Sequence, residues 1–469
     1  SSTQLPEGSA DPGLGPDGGC WPKYGGSMTT DPAPATDSAL FPIRIGLLGC
    51  GNVGGALVEL IETQRESIAA RSGLDLQIVR VAVRNASKDR GVELDGLLTT
   101  DATEVVAADD VDVVVEVIGG IEPARQLVAD ALAAGKPVVT ANKELLANVG
   151  NELYGAADMA GVDLLFEAAV AGGIPLMRPL RESLVGEPIT RVLGIVNGTT
   201  NYILSRMTDD GVSYQEALAE AQSLGFAERD PTADVEGYDA GAKVAIMATL
   251  AFGASVVAGD VYHEGIGSIT SSDVDHARHL GFVIKPVAIA ESVDGSDGPE
   301  VAVRVHPAMV ATDHPLASVN GSFNAVFIEG GAVGDLMLYG RGAGGMPTAS
   351  AVLGDVIDAA ANLRRGSSAA LGSFGRASIR PIDRVRSAYY LNIEVADEPG
   401  VLAQVAEVFG RHRVSIRSME QEGLGGEARI VFITHAAVEA DVQATLHDLR
   451  LLDAVDRIGT VLRVIGVED

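Results

Sequence analysis

Asp239 and Lys243 stand four residues apart in the segment Tyr238-Asp239-Ala240-Gly241-Ala242-Lys243. A helix opening at Tyr238 would put the carboxylate and the ammonium on one face, among apolar neighbours such as Ala242, Val244 and Ile246. Such a pair is either an ordinary i,i+4 salt bridge, worth about 0.3–0.5 kcal/mol when exposed, or part of a proton-transfer site. Oxidising an alcohol requires the second. The hydroxyl proton must be taken up as hydride leaves carbon, so a base has to sit beside the hydride acceptor, and a lysine whose pKa is lowered by burial can serve. No histidine stands in a comparable setting: His263, His276 and His279 fall in a polar connecting stretch, while His306 and His314 each precede a proline, which suits turns. Lys143, in Thr140-Ala141-Asn142-Lys143-Glu144, follows an apolar run at the edge where ligands of open α/β sheets collect. It is a second candidate, its alternative being a solvated loop lysine.

The hydride acceptor has its own signature. Gly49, Gly51 and Gly54 give G-x-G-x-x-G in Gly49-Cys50-Gly51-Asn52-Val53-Gly54. The first glycine allows the turn, the second lets backbone approach a pyrophosphate, and the third lets helix pack on strand. The helix N-terminus then faces the phosphates. By itself the pattern also fits a structural turn, but here it lies between a strand and a helix, which favours dinucleotide binding. After Val83, where an acidic residue would bond the ribose 2′-hydroxyl of NAD, the chain has Arg84 with Lys88 nearby, which favours NADP while leaving NAD open.

The elements that must position these groups follow from hydrophobic periodicity. Residues 43–48 read as a strand and 56–61 as helical; 76–83 and 111–117 are β-branched runs typical of buried parallel strands, 123–134 is helical, and 138–140 adds a short strand. This alternation predicts a Rossmann-type doubly wound parallel sheet over residues 41–150. Residues 151–375 mix helices at 213–224 and 238–252 with strands at 301–305 and 325–329, an α+β substrate-binding and oligomerisation domain. Residues 366–380, rich in Ser, Gly and Ala, read as a linker. Within 385–469 come strand 388–395, helix 401–411, strand 414–421, a Gly-rich hairpin at 423–426, strand 428–434, helix 439–449 and strand 460–464, a βαββαβ unit.

Bulk composition narrows the function classes. At 469 residues the chain exceeds one core, and 34 Lys plus Arg against 64 Asp plus Glu give a net charge of −30, which repels nucleic acids and acidic membranes. No apolar run approaches the roughly 20 residues that span a bilayer. Cys20 and Cys50 alone support neither a disulfide framework nor a cysteine metal site, which fits a reducing cytoplasm. Residues 1–40 read as a disordered leader or an expression remnant; residues 1–27, rich in Gly, Pro, Ser and Asp, lack the pattern of a signal peptide and precede Met28.

Several segments, in this order, resemble homoserine dehydrogenase in the long form with a C-terminal ACT domain. They are Leu47 through Gly54, Thr140-Ala141-Asn142-Lys143, Gly194 through Leu204 with Asn197-Gly198-Thr199-Thr200 inside it, Gly225 through Lys243, and Gly340 through Thr348. The resemblance runs from about Ile43 to Val464. It implies reversible hydride transfer between L-homoserine and L-aspartate 4-semialdehyde, in threonine, methionine and isoleucine biosynthesis. By that likeness Lys243 donates the proton, Lys143 completes the polar site and also borders the cofactor, and Asp239 and Asp234 orient lysine and substrate. Glu228 binds the substrate ammonium, and Thr199 with the Gly198 amide holds its carboxylate. Gly49, Gly51, Asn52, Val53, Gly54, Arg84, Gly119, Thr140, Gly342 and Gly344 border NADPH, with NADH possible. A monovalent cation, usually sodium, is implied at Glu167, Val170, Gly172 and Ile174.

The C-terminal unit, with its Asp397-Glu398-Pro399-Gly400 turn, resembles an ACT domain of ferredoxin-like fold. That implies an L-threonine effector acting across a homodimer or homotetramer, or else a module that only mediates assembly. Two alternatives stay open: another amino-acid or sugar dehydrogenase on the same plan, and a non-catalytic sensor of nucleotide and amino acid. A sensor has no need for Lys143, Glu228, Asp239 and Lys243 together.

Overall fold

The computed structural model describes residues 40–369, 371–423 and 427–467, so the expected leader lies outside it apart from Leu40, as do residues 424–426 of the expected hairpin. The chain opens with β1 (Phe41–Leu48), α1 (Asn52–Ser72), β2 (Leu74–Ala82), β3 (Leu98–Thr99), α2 (Ala102–Ala107), β4 (Val113–Glu116), α3 (Ala124–Ala133), β5 (Val138–Thr140), α4 (Lys143–Ala160) and β6 (Leu164–Leu165). The strands form a parallel sheet in the order β3-β2-β1-β4-β5-β6. This is the doubly wound arrangement that the alternating runs predict. A parallel sheet has to be covered on both faces. One face packs Val105, Leu127, Leu132 and Leu145 from α2, α3 and α4. The other packs Leu57, Val58 and Ile61 of α1.

Two features differ from the expected division near residue 150. The sheet runs on to β6, and α10 (Gly345–Arg365), far along the chain, returns to it. Ala349, Val352, Val356, Ala359 and Ala360 of α10 share a core with Ile43, Ile45, Leu47 and Leu57. One helix cannot cover the face that α1 leaves half bare, and the late helix completes it.

The second sheet draws on β7 (Ile189–Ile195), β9 (Tyr262–His263), β10 (Phe282–Gly295), β11 (Gly298–Ala311), β12 (Phe323–Gly330) and β13 (Gly334–Arg341). Between these strands lie α5 (Gly198–Asp210), α6 (Tyr214–Ser223), a short α7 (Thr232–Val235), α8 (Tyr238–Phe252), β8 (Ala254–Ser255) and α9 (Ser271–His279). The helix expected at 213–224 starts on a Ser213 capping box with Glu216. Helix α8 spans the expected residues and is buried along almost its whole length. The strand expected at 301–305 is the middle of a 14-residue strand, β11, paired with β10 from Phe282↔Ala311 to Gly295↔Gly298.

The expected linker is pinned instead of free. Its strand β14 (Gly375–Arg376) pairs with β8, Val301 donates to the Ser378 carbonyl at 2.8 Å, and Arg380 reaches Glu300 at 2.8 Å. Its small residues let the chain lie close against the second domain rather than swing away from it.

The C-terminal βαββαβ unit consists of β15 (Arg386–Ala396), α11 (Val401–Arg411), β16 (Ile416–Gly423), β17 (Glu427–Thr434), β18 (Ala437–Val438), α12 (Glu439–Leu449) and β19 (Val455–Ile465). Its strands lie in the order β19-β15-β17-β16, as in a ferredoxin-like fold, yet they form no separate sheet. β19 pairs in parallel with β11, with Ala308 opposite Arg463, so one sheet runs from β13 to β16. Met309 and Ala311 bury themselves beside Tyr390, Ile433, Leu462 and Val464. Otherwise β11 would present an unpaired edge. Among the described residues no helix is long and apolar enough to cross a membrane.

Candidate active site

The loop after β1 is shaped around its glycines. Gly49 has φ of 96°, and a Cβ there would lie 2.8 Å from the Val117 carbonyl. A Cβ on Gly54 would strike the Gly49 carbonyl, whereas nothing lies within 4 Å of one on Gly51. The tight positions thus serve packing, and the open one leaves room for a ligand. No side chain caps α1 at Gly51, so the first-turn amides of Asn52 and Val53 face that space. Gly119 lies on the next loop, held by the Glu116 carboxylate, which accepts from Ile118 N at 2.8 Å and Gly119 N at 3.1 Å. Thr140, beside that loop, is fully buried; it donates its hydroxyl to Glu116 at 2.5 Å and accepts from Asn142 N at 3.0 Å. Its hydroxyl therefore braces the loop through Glu116. Arg84 and Lys88 are exposed just beyond β2.

The proton-transfer candidates converge where the two sheets meet. On α8, Asp239 and Lys243 are each 9% exposed, and Lys143 opens α4 on the facing domain. The Asp239 carboxylate is shared, with Lys143 Nζ 2.5 Å from Oδ1 and Lys243 Nζ 2.7 Å from Oδ2. Lys243 also donates to the Val196 carbonyl at 2.7 Å. Burial works against the Asp239 charge, but the two ammonium groups outweigh it and hold the carboxyl well below the usual carboxylate range. Burial likewise opposes the Lys143 charge, and Asp239 prevails, raising that pKa.

Asn197, which no signal in the sequence singled out as a site residue, organises the acids. It caps α5 through Thr200 N and donates to Asp234 at 2.7 Å and to Asp239 at 2.9 Å. Burial raises the Asp234 pKa; the Asn197 hydrogen bond opposes that rise, and the Asp239 charge adds to it. Asn142 caps α4 and donates to the Gly120 carbonyl at 2.6 Å, tying the Lys143 helix to the nucleotide loop.

Lys143, Asn197, Asp234, Asp239 and Lys243 line a cleft of about 1020 Å³ that also takes in Gly198, Thr199, Glu228, Gly342 and Gly344. Glu228 is exposed on its rim. The Thr199 hydroxyl donates to the Phe226 carbonyl at 2.7 Å, so it braces the loop that carries Glu228 and leaves only its amide for a ligand. Gly198 is pressed against Ser322, whose carbonyl would lie 2.8 Å from a Cβ. Gly342 abuts the Asn324 side chain and Gly344 has φ of 121°. His263 reverses its expected placement. It lies on β9, lines the cleft and packs against Tyr238 at 5.1 Å, with burial lowering its pKa. His306 is buried within β11 rather than in a turn, and His276 and His279 lie on α9.

At the implied cation site, the Glu167 carboxylate accepts from the amides of Leu176, Met177 and Arg178. It caps a helical turn, so it is not a spare side-chain ligand. Val170, Gly172 and Ile174 are buried, and among the described residues their carbonyls carry no hydrogen bond. Orphaned buried carbonyls suit a hard cation.

Comparison with known proteins gives one answer along most of the chain. The model of the homoserine dehydrogenase NAD-binding domain matches residues 49–167, that of homoserine dehydrogenase residues 175–357, and that of the ACT domain residues 389–450. The homoserine dehydrogenase of Mycobacterium tuberculosis is 50% identical over 433 residues, 91% of this chain and 98% of its own. That of Corynebacterium glutamicum is 46% identical over 442 residues, 93% and 99% of the two chains. The crystal structure of a homoserine dehydrogenase from Thiobacillus denitrificans superposes with a TM-score of 0.85 at 41% identity, covering 90% of this chain and 98% of that one. A hyperthermophilic archaeal homoserine dehydrogenase in complex with NADPH has a TM-score of 0.58 at 28% identity, covering 68% and 98%.

Proposed function

This chain belongs to the homoserine dehydrogenase family, NAD(P)-dependent oxidoreductases acting on a CH–OH group, and from that premise we propose that Lys243 moves the proton while NADPH is the preferred hydride source. The observation that carries this reading is the single carboxylate, Asp239, shared by Lys143 and Lys243. An ammonium has three donors. Lys243 uses one on Val196 and one on Asp239, which leaves the third for the carbonyl oxygen of L-aspartate 4-semialdehyde.

When bound, NADPH would supply the hydride that the aldehyde carbon of the substrate accepts. Lys243 delivers the proton to the carbonyl oxygen of the aldehyde, so the aldehyde, hydride and proton together make L-homoserine. Asp239 orients Lys243 and keeps Lys143 charged, and Lys143 stabilises the developing negative charge. Glu228 on the rim pairs with the substrate ammonium, while the amides of Gly198 and Thr199 receive the carboxylate. Gly49, Gly51, Asn52, Val53, Gly54, Gly119, Gly342 and Gly344 border the dinucleotide, and Arg84 with Lys88 favours a 2′-phosphate.

Further parts of the reading rest on the family. The carbonyls of Val170, Gly172 and Ile174, with that of Glu167, would hold a sodium ion that stiffens the chain leading to β7. Residues 385–469 act as an ACT unit that takes L-threonine as feedback effector in a homodimer or homotetramer. The enzyme works in the cytoplasm, in threonine, methionine and isoleucine biosynthesis. Loss of NADPH absorbance on adding L-aspartate 4-semialdehyde tests the activity, and a parallel run with NADH tests the preference. The expected result is turnover with a higher kcat/KM for NADPH, narrowed by Arg84→Ala; no turnover would remove the reading.

A further inference from the structure

The cleft is short of positive charge for the substrate it is proposed to hold. Glu144, Glu228, Asp230, Asp234 and Asp239 line it, against Lys143, Lys243 and Arg341. Both lysines are committed to Asp239. Arg341 has no carboxylate partner among the described residues; its guanidinium carbon lies 5.3 Å from the centroid of the Phe323 ring, which stacks on Tyr339 at 5.2 Å. A cation–π contact uses none of the five N–H donors, so the planar fork stays available to an oxyanion.

The strand register says which oxyanion. Arg341 ends β13 directly opposite Phe323 on β12. The loop before Phe323 is tied to α5, since Asn201 donates to the carbonyls of Val319, Gly321 and Phe323, and Gly321 N donates to Ser205 at 3.0 Å. Ser322 lies against Gly198, the first residue of α5. This register carries Arg341 into the lining of the cleft next to the strand that follows Ser322, on the side of Gly198 and Thr199. From Arg341 the chain runs through Gly342 and Gly344 toward the cofactor end, meeting α1 at Gly345, where a Cβ would lie 3.0 Å from the Asn52 carbonyl.

We propose that Arg341 is a specificity-determining residue that pairs with the α-carboxylate of the amino-acid substrate, reinforcing the two amides. This rests on the activity proposed above and deepens it: the enzyme would select aldehydes that carry a carboxylate as well as an ammonium.

The test compares L-aspartate 4-semialdehyde with 3-aminopropanal, which keeps the aldehyde and amine but lacks the carboxylate. Arg341→Met retains the aliphatic stem over Phe323 and removes the charge; Arg341→Lys restores charge without the fork. In wild type, kcat/KM should favour the semialdehyde. Arg341→Met should reduce that preference about tenfold or more, the range of a charge-assisted hydrogen bond, through a higher KM for the semialdehyde with the KM for NADPH unchanged, and Arg341→Lys should recover part of it. An unchanged preference in both variants would overturn the proposal. So would a rise confined to the KM for NADPH, which would place the guanidinium on a nucleotide phosphate. Absence of wild-type turnover would instead fell the activity itself, a separate result.

Discussion

At the scale of residues, the account turns on two lysines sharing one buried carboxylate. Because Asp239 raises the Lys143 pKa against the effect of burial, removing its charge must let that pKa fall. Asp239→Asn should therefore move the alkaline limb of the kcat/KM profile to lower pH, as the Lys143 ammonium is lost earlier, and should lower kcat as well. A pH profile with an unmoved alkaline limb would contradict the pairing. The Asp239–Lys243 half of the cluster was legible in the sequence, because a four-residue spacing on a helix is a local signal. The role of Asn197 was not: it meets Asp239 across a separation of 42 residues, and an asparagine in a Gly-Thr-rich turn reads as a helix cap, which it also is. His263 was misplaced for a related reason. Its polar neighbours suggested a connection, but Tyr262 and Glu264 are occupied elsewhere, with Glu264 bound to Arg463 at 2.8 Å, which leaves the histidine to face α8.

At the scale of elements, the nucleotide loop separates two jobs that one motif had fused. Gly54→Ala drives a methyl group into the Gly49 carbonyl, whereas Gly51→Ala meets open space. Thermal melts without ligand should show a lower Tm for Gly54→Ala and an unchanged Tm for Gly51→Ala, while titration shows weaker NADPH binding in both. Equal loss of Tm in the two variants would mean that Gly51 packs rather than admits a ligand. The turn, α1 and α8 were readable because periodicity and glycine spacing act over a few residues. The long hairpin of β10 and β11 was not readable in full. Lys285, Glu291, Arg304 and His306 interrupt its apolar run, and Arg304 is tolerated at 2% exposure only because Glu291 on the paired strand lies 2.7 Å away. Sequence periodicity registers the interruption and carries no trace of the partner.

At the scale of the whole molecule, the C-terminal unit is built into the second sheet instead of attached by a linker. Its composition shift at residues 366–380 marked a boundary, yet the pairing of β19 with β11 depends on a match 155 positions away in register, Ala308 with Arg463, that no local pattern encodes. A chain ending at Arg384 should therefore melt at a clearly lower temperature and lose solubility, since Met309 and Ala311 lose their cover; an unchanged Tm would show an independent unit. Arg463 is 4% exposed between Glu264 and Glu439, at 2.8 and 2.7 Å, so Arg463→Leu should cost about 3 kcal/mol in denaturant unfolding by leaving the buried Glu439 without its cation. Both sheets also have to be in place to bring Lys143 and Lys243 to one carboxylate, and the most direct test of the account lies there. Steady-state NADPH oxidation with saturating L-aspartate 4-semialdehyde should fall in kcat by at least about 100-fold in Lys243→Ala, the scale that proton transfer supplies, with NADPH binding retained. A variant turning over at the wild-type rate would contradict it.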